Sequence, residues 1–233
     1  MINYANKYNY NFLLYNKSNH TPILKNLKVK YEINKLPNIG QHTHTYLYHI
    51  IKNYNNLNDI TIFMLGSAFR GRKKTEKAHW VLNNANNCKG IMAKHIWLGN
   101  DYDFELPYYD IFNYKKDIIN THSKRVRTKM IRAHITPLGK WIENNTDLNL
   151  PNKKFYRTNK CIFAVTKEII LKKPLSYYQN LISQLEAPTI NLEVIHYFER
   201  AWVSIFLEPD KDENYYKKVL NYDIKKYPLI FNN

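Results

Sequence analysis

The hydrophobic and polar positions of the chain follow two periods. Residues 27–33 (Leu-Lys-Val-Lys-Tyr-Glu-Ile) alternate with period two and predict a strand with one apolar face. Residues 11–15, 59–65, 90–97 and 161–165 are short apolar runs of strand length, and 59–65 reads as a buried strand closed by Gly66. Tyr46, Leu47, Ile50, Ile51 and Tyr54 recur at helical spacing and predict a helix over about 42–55. Further helices are predicted over about 75–84, after Pro137 (holding Trp141 and Ile142), and over 176–185 after Pro174.

The strongest helical pattern lies at 193–206. Ile195, Phe198, Trp202, Ile205 and Phe206 form one apolar stripe. At roughly 100° per residue, Glu199 falls on the edge of that stripe, not opposite it. A carboxylate there costs on the order of several kcal/mol of desolvation unless it is paired or lines a polar cleft. Glu199 is therefore the leading candidate for a working carboxylate.

Strands alternating with helices predict an α/β fold: a single domain with a mixed, mostly parallel central sheet flanked by helices. Neither an internal repeat nor a linker interrupts it. The core is expected over about 27–207, and a Lys- and Tyr-rich tail over 208–233. The polar stretch 100–135 is the candidate long functional loop.

Composition supports this and narrows the classes. The 233 residues are 44% hydrophobic, enough for one large domain with a full core. No apolar run reaches the roughly 18 residues of a membrane span. The first residues lack a basic stretch followed by an apolar one, so no signal peptide and a cytoplasmic location are expected. Cys88 and Cys161 lie far apart without metal-ligand spacing and read as reduced thiols. Zinc modules, Gly-x-Ser-x-Gly nucleophile elbows and Gly-x-Gly-x-x-Gly dinucleotide loops are all missing from the sequence.

Charge adds a class of partner. Lys and Arg number 35 against 19 Asp and Glu, a net charge of +16, and such a field attracts polyanions or phosphorylated small molecules. Two clusters concentrate it, at 70–74 extended by Lys77, and at 124–129 extended by Arg132. The competing reading is compositional: abundant Lys, Asn, Ile and Tyr match AT-rich coding, with scattered Lys solubilising the surface.

Candidate chemistry sits at strand ends, where open α/β sheets bind ligands. The turn from Asn38 through Gly40 to His42 leads into a helix whose N-terminus suits a phosphate or a sugar hydroxyl. The loop holding Gly66, Ser67, Arg70, Lys73 and Lys74 joins a strand to a helix and resembles a diphosphate cradle, without the Gly-Lys-Ser/Thr ending of a P-loop. A solvated basic loop is the bland alternative. Asp101-Tyr-Asp103 has the spacing of an Asp-x-Asp element that holds Mn²⁺ or Mg²⁺ against a diphosphate.

Several blocks carry a resemblance. Pro37-Asn-Ile-Gly40 with His44-Thr-Tyr-Leu-Tyr-His-Ile-Ile51, the run 59–63, Ile135-Thr-Pro-Leu-Gly-Lys-Trp141, the runs 161–170 and 173–178, and His196-Tyr-Phe-Glu-Arg-Ala-Trp202 are similar, in order and spacing over about 36–207, to a domain family of unknown function found in bacteria, fungi and large DNA viruses. That family typically opens with Asn-x-Gly-Arg-Glu; Gln41-His42 stands here in place of Arg-Glu. The last two blocks also resemble the acceptor-side half of GT-A glycosyltransferases.

The resemblance implies sugar transfer from a nucleotide-sugar donor to a glycan or other hydroxyl acceptor. On that expectation Glu199 is the base, Asn38, Gly40, His42, Gly66, Ser67, Arg70, Lys73 and Lys74 hold the donor, and Arg200 and Trp202 lie on the acceptor side. Asp101 and Asp103 are the candidate metal ligands. Two alternatives stand beside it: a basic nucleic-acid-binding protein, for which no motif speaks, and a glycosyltransferase-like domain without catalysis, in which Glu199 makes a buried ion pair.

Overall fold

The computed structural model describes residues 1–20, 22, 24–99, 131–146, 148, 150, 155–158, 160–186, 192–209 and 211–222. Its helices are α1 (Ile2–Tyr8), α2 (Gln41–Lys52), α3 (Arg72–Asn84), α4 (Leu138–Thr146), α5 (Lys167–Leu171), α6 (Leu175–Ser183), α7 (Glu193–Phe206) and α8 (Glu213–Val219). Its strands are β1 (Phe12–Asn16), β2 (Tyr31–Lys35), β3 (Ile60–Phe63), β4 (Ile91–Met92), β5 (Trp97–Gly99), β6 (Phe155–Arg157), β7 (Phe163–Thr166) and β8 (Leu220–Asn221).

The fold is α/β. Its four-stranded sheet has the order β3-β7-β4-β8. β3 and β4 each pair antiparallel to β7, with Phe63 opposite Phe163 and Met92 opposite Ala164; β4 pairs parallel to β8. The expectation of a mostly parallel sheet is thereby corrected. β3 and β4 run the same way with α3 between them, but β7, from the second half of the chain, inserts between them in the opposite direction. Two further two-stranded pairs stand apart: β1 with β2, parallel, and β5 with β6, antiparallel.

Alternation along β7 builds the layers. Phe163 and Val165 face the larger core, formed with α2, α4, α6 and α7. Ile162 and Ala164 face a smaller core with Ala78, Val81 and Ala85 of the α3 region. Helices thus cover both faces, as an apolar central strand requires. Thr166 ends β7 and caps α5, its hydroxyl accepting from the Ile169 N–H at 3.4 Å. Segments past 207 contribute too, since α8 leads into β8, which pairs with β4.

Two local expectations shift. The period-two run predicts a strand over 27–33, yet β2 is Tyr31–Lys35, and its Tyr31 and Ile33 are exposed. The run 90–97 is divided between β4 and β5, with Ala93 and Ile96 buried in the bend between them. No helix among the described residues is long and apolar enough to cross a membrane.

Candidate anion-binding site

α7 is apolar and buried nearly all round, as expected of a central helix. From Val194 to Leu207 every residue is buried except His196, Glu199 and Arg200. Their i, i+3, i+4 spacing places them on one face, so the helix has a single polar strip. His196 Nδ1 lies 3.8 Å from Glu199 Oε2, and Arg200 Nη1 donates to the His196 carbonyl at 2.9 Å.

Two left-handed turns lie against this strip. Lys160 and Cys161, just before β7, have φ of 75° and 49°, and the Lys160 backbone N–H donates to Glu199 Oε1 at 3.3 Å. Non-glycine residues in this region cost roughly 1–2 kcal/mol each and persist where surrounding contacts over-determine them. The second turn, Gly40–Gln41 with φ of 54° and 49°, opens α2. A Cβ on Gly40 would lie 2.7 Å from His44 Cβ and 2.9 Å from Leu185 Cβ, so only glycine fits. Lys17 Nζ braces this turn, donating to the carbonyls of Ile39 at 2.6 Å and Gln41 at 2.5 Å. His42 follows directly, its ring 5.7 Å from that of Tyr46. Tyr46 in turn donates from its hydroxyl to the Cys161 carbonyl at 2.8 Å, tying one turn to the other.

Because β7 is antiparallel to β3 and β4, its start adjoins their carboxyl ends. The loop after β3 and the first turns of α3 bring in Lys74, whose Nζ donates to Ser67 Oγ at 3.2 Å, and the buried Lys77. The segment after β4 brings in Lys94, buried and paired with Glu76. β6 contributes Arg157, buried, with its guanidinium 4.9 Å over the Trp97 ring. The result is a cluster, here named the basin, in which ammonium and guanidinium groups outnumber carboxylates.

Titration behaviour follows from this packing. Burial alone would raise the Glu199 carboxyl, but the neighbouring His196, Arg200 and Lys160 outweigh it and hold the pKa down at about 2. Burial pushes His42 down to about 4; Glu199 opposes this, while Lys17, His196 and Lys74 add to it. Burial, then Lys160, pushes Lys77 down to about 8 against the pull of Glu199. Arg157 is lowered to about 10 by burial and by Arg200. The Cys161 thiol is raised well above its usual value, first by burial and then by Glu199, which excludes a thiolate nucleophile at neutral pH.

Of the residues singled out from the sequence, Glu199, Arg200, His42, Gly40, Lys74 and Ser67 come together here. Asn38, Gly66, Arg70 and Lys73 are exposed and join no contact in the basin. Trp202, expected on the acceptor side, is fully buried among Tyr46, Phe163, Phe198 and Phe206, so it cannot stack on an acceptor. Asp101, Asp103 and the cluster at 124–129 lie outside the described residues. Sequence reasoning missed Lys17, Lys77, Arg157, Lys160 and His196 as site residues. Lys77, three positions after Lys74, and His196, three before Glu199, carried a usable signal in their helical spacing.

Among the described residues no three His, Cys, Asp or Glu side chains converge as a ligand set, and cations surround Glu199. A cleft of about 280 Å³ lies elsewhere, between β1–β2 and the C-terminal end of α2. It lacks the converging cations, so the basin is the stronger candidate.

Residues 8–219 match the model of a family described as "Protein of unknown function (DUF3431)". The chain belongs to this family. The DUF3431 match covers every basin residue from Lys17 to Arg200, so the site lies wholly within the family's domain. No curated protein and no solved structure matches the chain.

Proposed function

We propose that this DUF3431 protein is a glycosyltransferase, whose basin binds the diphosphate of a nucleotide-sugar donor and passes the sugar to a glycan or other hydroxyl acceptor. The observation that carries the reading is the convergence of Lys74, Lys77, Arg157, Lys160 and Arg200 on one face at the carboxyl ends of β3 and β4. Preorganised cations suit a leaving diphosphate, whose charge grows as the bond to the anomeric carbon breaks. The resemblance of the blocks around 161–178 and 196–202 to the acceptor-side half of GT-A glycosyltransferases supplies the reaction class.

Within this reading Glu199 acts as a fixed anion. It accepts from the Lys160 backbone N–H, and its charge limits repulsion among the basic groups. A carboxylate with a pKa of about 2 is a weak proton acceptor at neutral pH. The same ion pairing favours a second reading, in which the domain binds an anionic sugar nucleotide without turning it over.

The test is release of UDP or GDP from UDP-glucose, UDP-galactose, UDP-N-acetylglucosamine and GDP-mannose, with and without Mn²⁺. Turnover of one donor supports the enzyme. Binding without turnover supports the inactive domain. Neither binding nor turnover, with salt-sensitive affinity for single-stranded nucleic acid, would move the protein to the nucleic-acid class.

A further inference from the structure

We propose that His42 Nε2, rather than Glu199, takes the proton from the acceptor hydroxyl. The assignment rests on the sugar-transfer reading and deepens it. His42 Nε2 is buried and has no hydrogen-bond partner among the described residues. A buried orphan ring nitrogen has a cost that a bound hydroxyl would remove. It is also held in place. The left-handed Gly40–Gln41 turn, braced by Lys17, delivers His42 to the first turn of α2, and the ring contact with Tyr46 limits its swing.

The groups facing His42 complete the arrangement. Glu199 and His196 come from α7, Lys74 from α3, Lys17 from the end of β1, and Tyr46 from its own helix. Burial and the cations keep the imidazole neutral at pH 7, and the tautomer with its proton on Nδ1 offers the Nε2 lone pair to the hydroxyl. Glu199 stays ionised, and its charge stabilises the imidazolium through space once the proton arrives. In the step itself, the acceptor O–H proton moves to Nε2 while its oxygen bonds the anomeric carbon. The bond from that carbon to the donor phosphate breaks, and the nucleoside diphosphate leaves with the electron pair, met by Lys74, Lys77 and Arg200.

The experiment compares donor turnover, UDP affinity and pH profiles of the wild type, His42→Gln and Glu199→Gln. Loss of a general base costs at least about 100-fold in kcat. We expect that loss in His42→Gln, with UDP affinity little changed. We expect Glu199→Gln to keep the acid limb of the kcat/KM profile but shift it to lower pH, because Glu199 raises the His42 pKa. His42→Gln retaining more than roughly a tenth of wild-type kcat overturns the assignment and leaves sugar transfer standing. So does complete loss of the acid limb in Glu199→Gln, which does not depend on His42→Gln folding. A wild-type protein that turns over none of the donors overturns both the assignment and the transfer reading.

Discussion

Replacing Glu199 with Gln tests the electrostatic core of the site through stability alone. The Glu199 side chain is 23% exposed and accepts from the Lys160 N–H, with His196 and Arg200 beside it. Burial raises its pKa, but these partners bring it from 4.5 to about 2. At about 1.4 kcal/mol per pH unit, that difference is worth about 3 kcal/mol of folding stability. A depressed carboxyl contributes fully above its unfolded value and loses the contribution as pH falls through the folded one. Glu199→Gln should therefore be about 2–3 kcal/mol less stable than wild type at pH 7. The gap should narrow below pH 4.5 and close near pH 2. Urea denaturation at a series of pH values from 7 down to 2.5 reads this directly. An equal gap at both ends, or a variant as stable as wild type at pH 7, would refute the ion-pair account.

Three further outcomes follow from the same geometry. Gly40→Ala, with φ of 54° and a Cβ driven against Leu185, should cost about 2–4 kcal/mol in urea denaturation, and no loss would show that the turn relaxes freely. Lys77→Met removes a buried ammonium from the site and should weaken UDP binding about tenfold by calorimetry, and unchanged affinity would take Lys77 out of the site. UDP affinity of the wild type should decline as pH rises past about 8, where Lys77 and Lys17 lose their protons, and the decline should be shallower in Lys77→Met.

Much of the helical frame was legible in the sequence. The apolar stripes at 42–55 and 193–206 correspond to α2 and α7 because a buried helix face writes its period into neighbouring residues. The order and direction of the strands were not. Nothing local to 161–165 says that β7 lies between β3 and β4 or runs against them, since register is fixed by contacts far apart in the chain. The site divided along the same line. Glu199 stood out because a carboxylate beside an apolar stripe breaks a local rule, and that anomaly located the basin. Trp202 misled, because aromatic residues serve cores and sugar faces alike, and only packing separates the two. Lys160 joins the site through a left-handed turn, and Arg157 through a strand pair, which no spacing in the sequence reveals. Lys73 and Lys74 read alike as sequence, yet one helical step leaves Lys73 exposed and turns Lys74 toward Ser67.

A phosphorylated ligand in the basin would meet Lys74 and Lys77 first, and its binding would depend on both. Calorimetric titration of UDP into the wild type and into the double variant Lys74→Ala/Lys77→Met tests it most directly. Saturable binding to the wild type that weakens with added salt is expected, with at least a roughly tenfold loss in the double variant. Failure of UDP to bind the wild type, or equal affinity in both proteins, would contradict it.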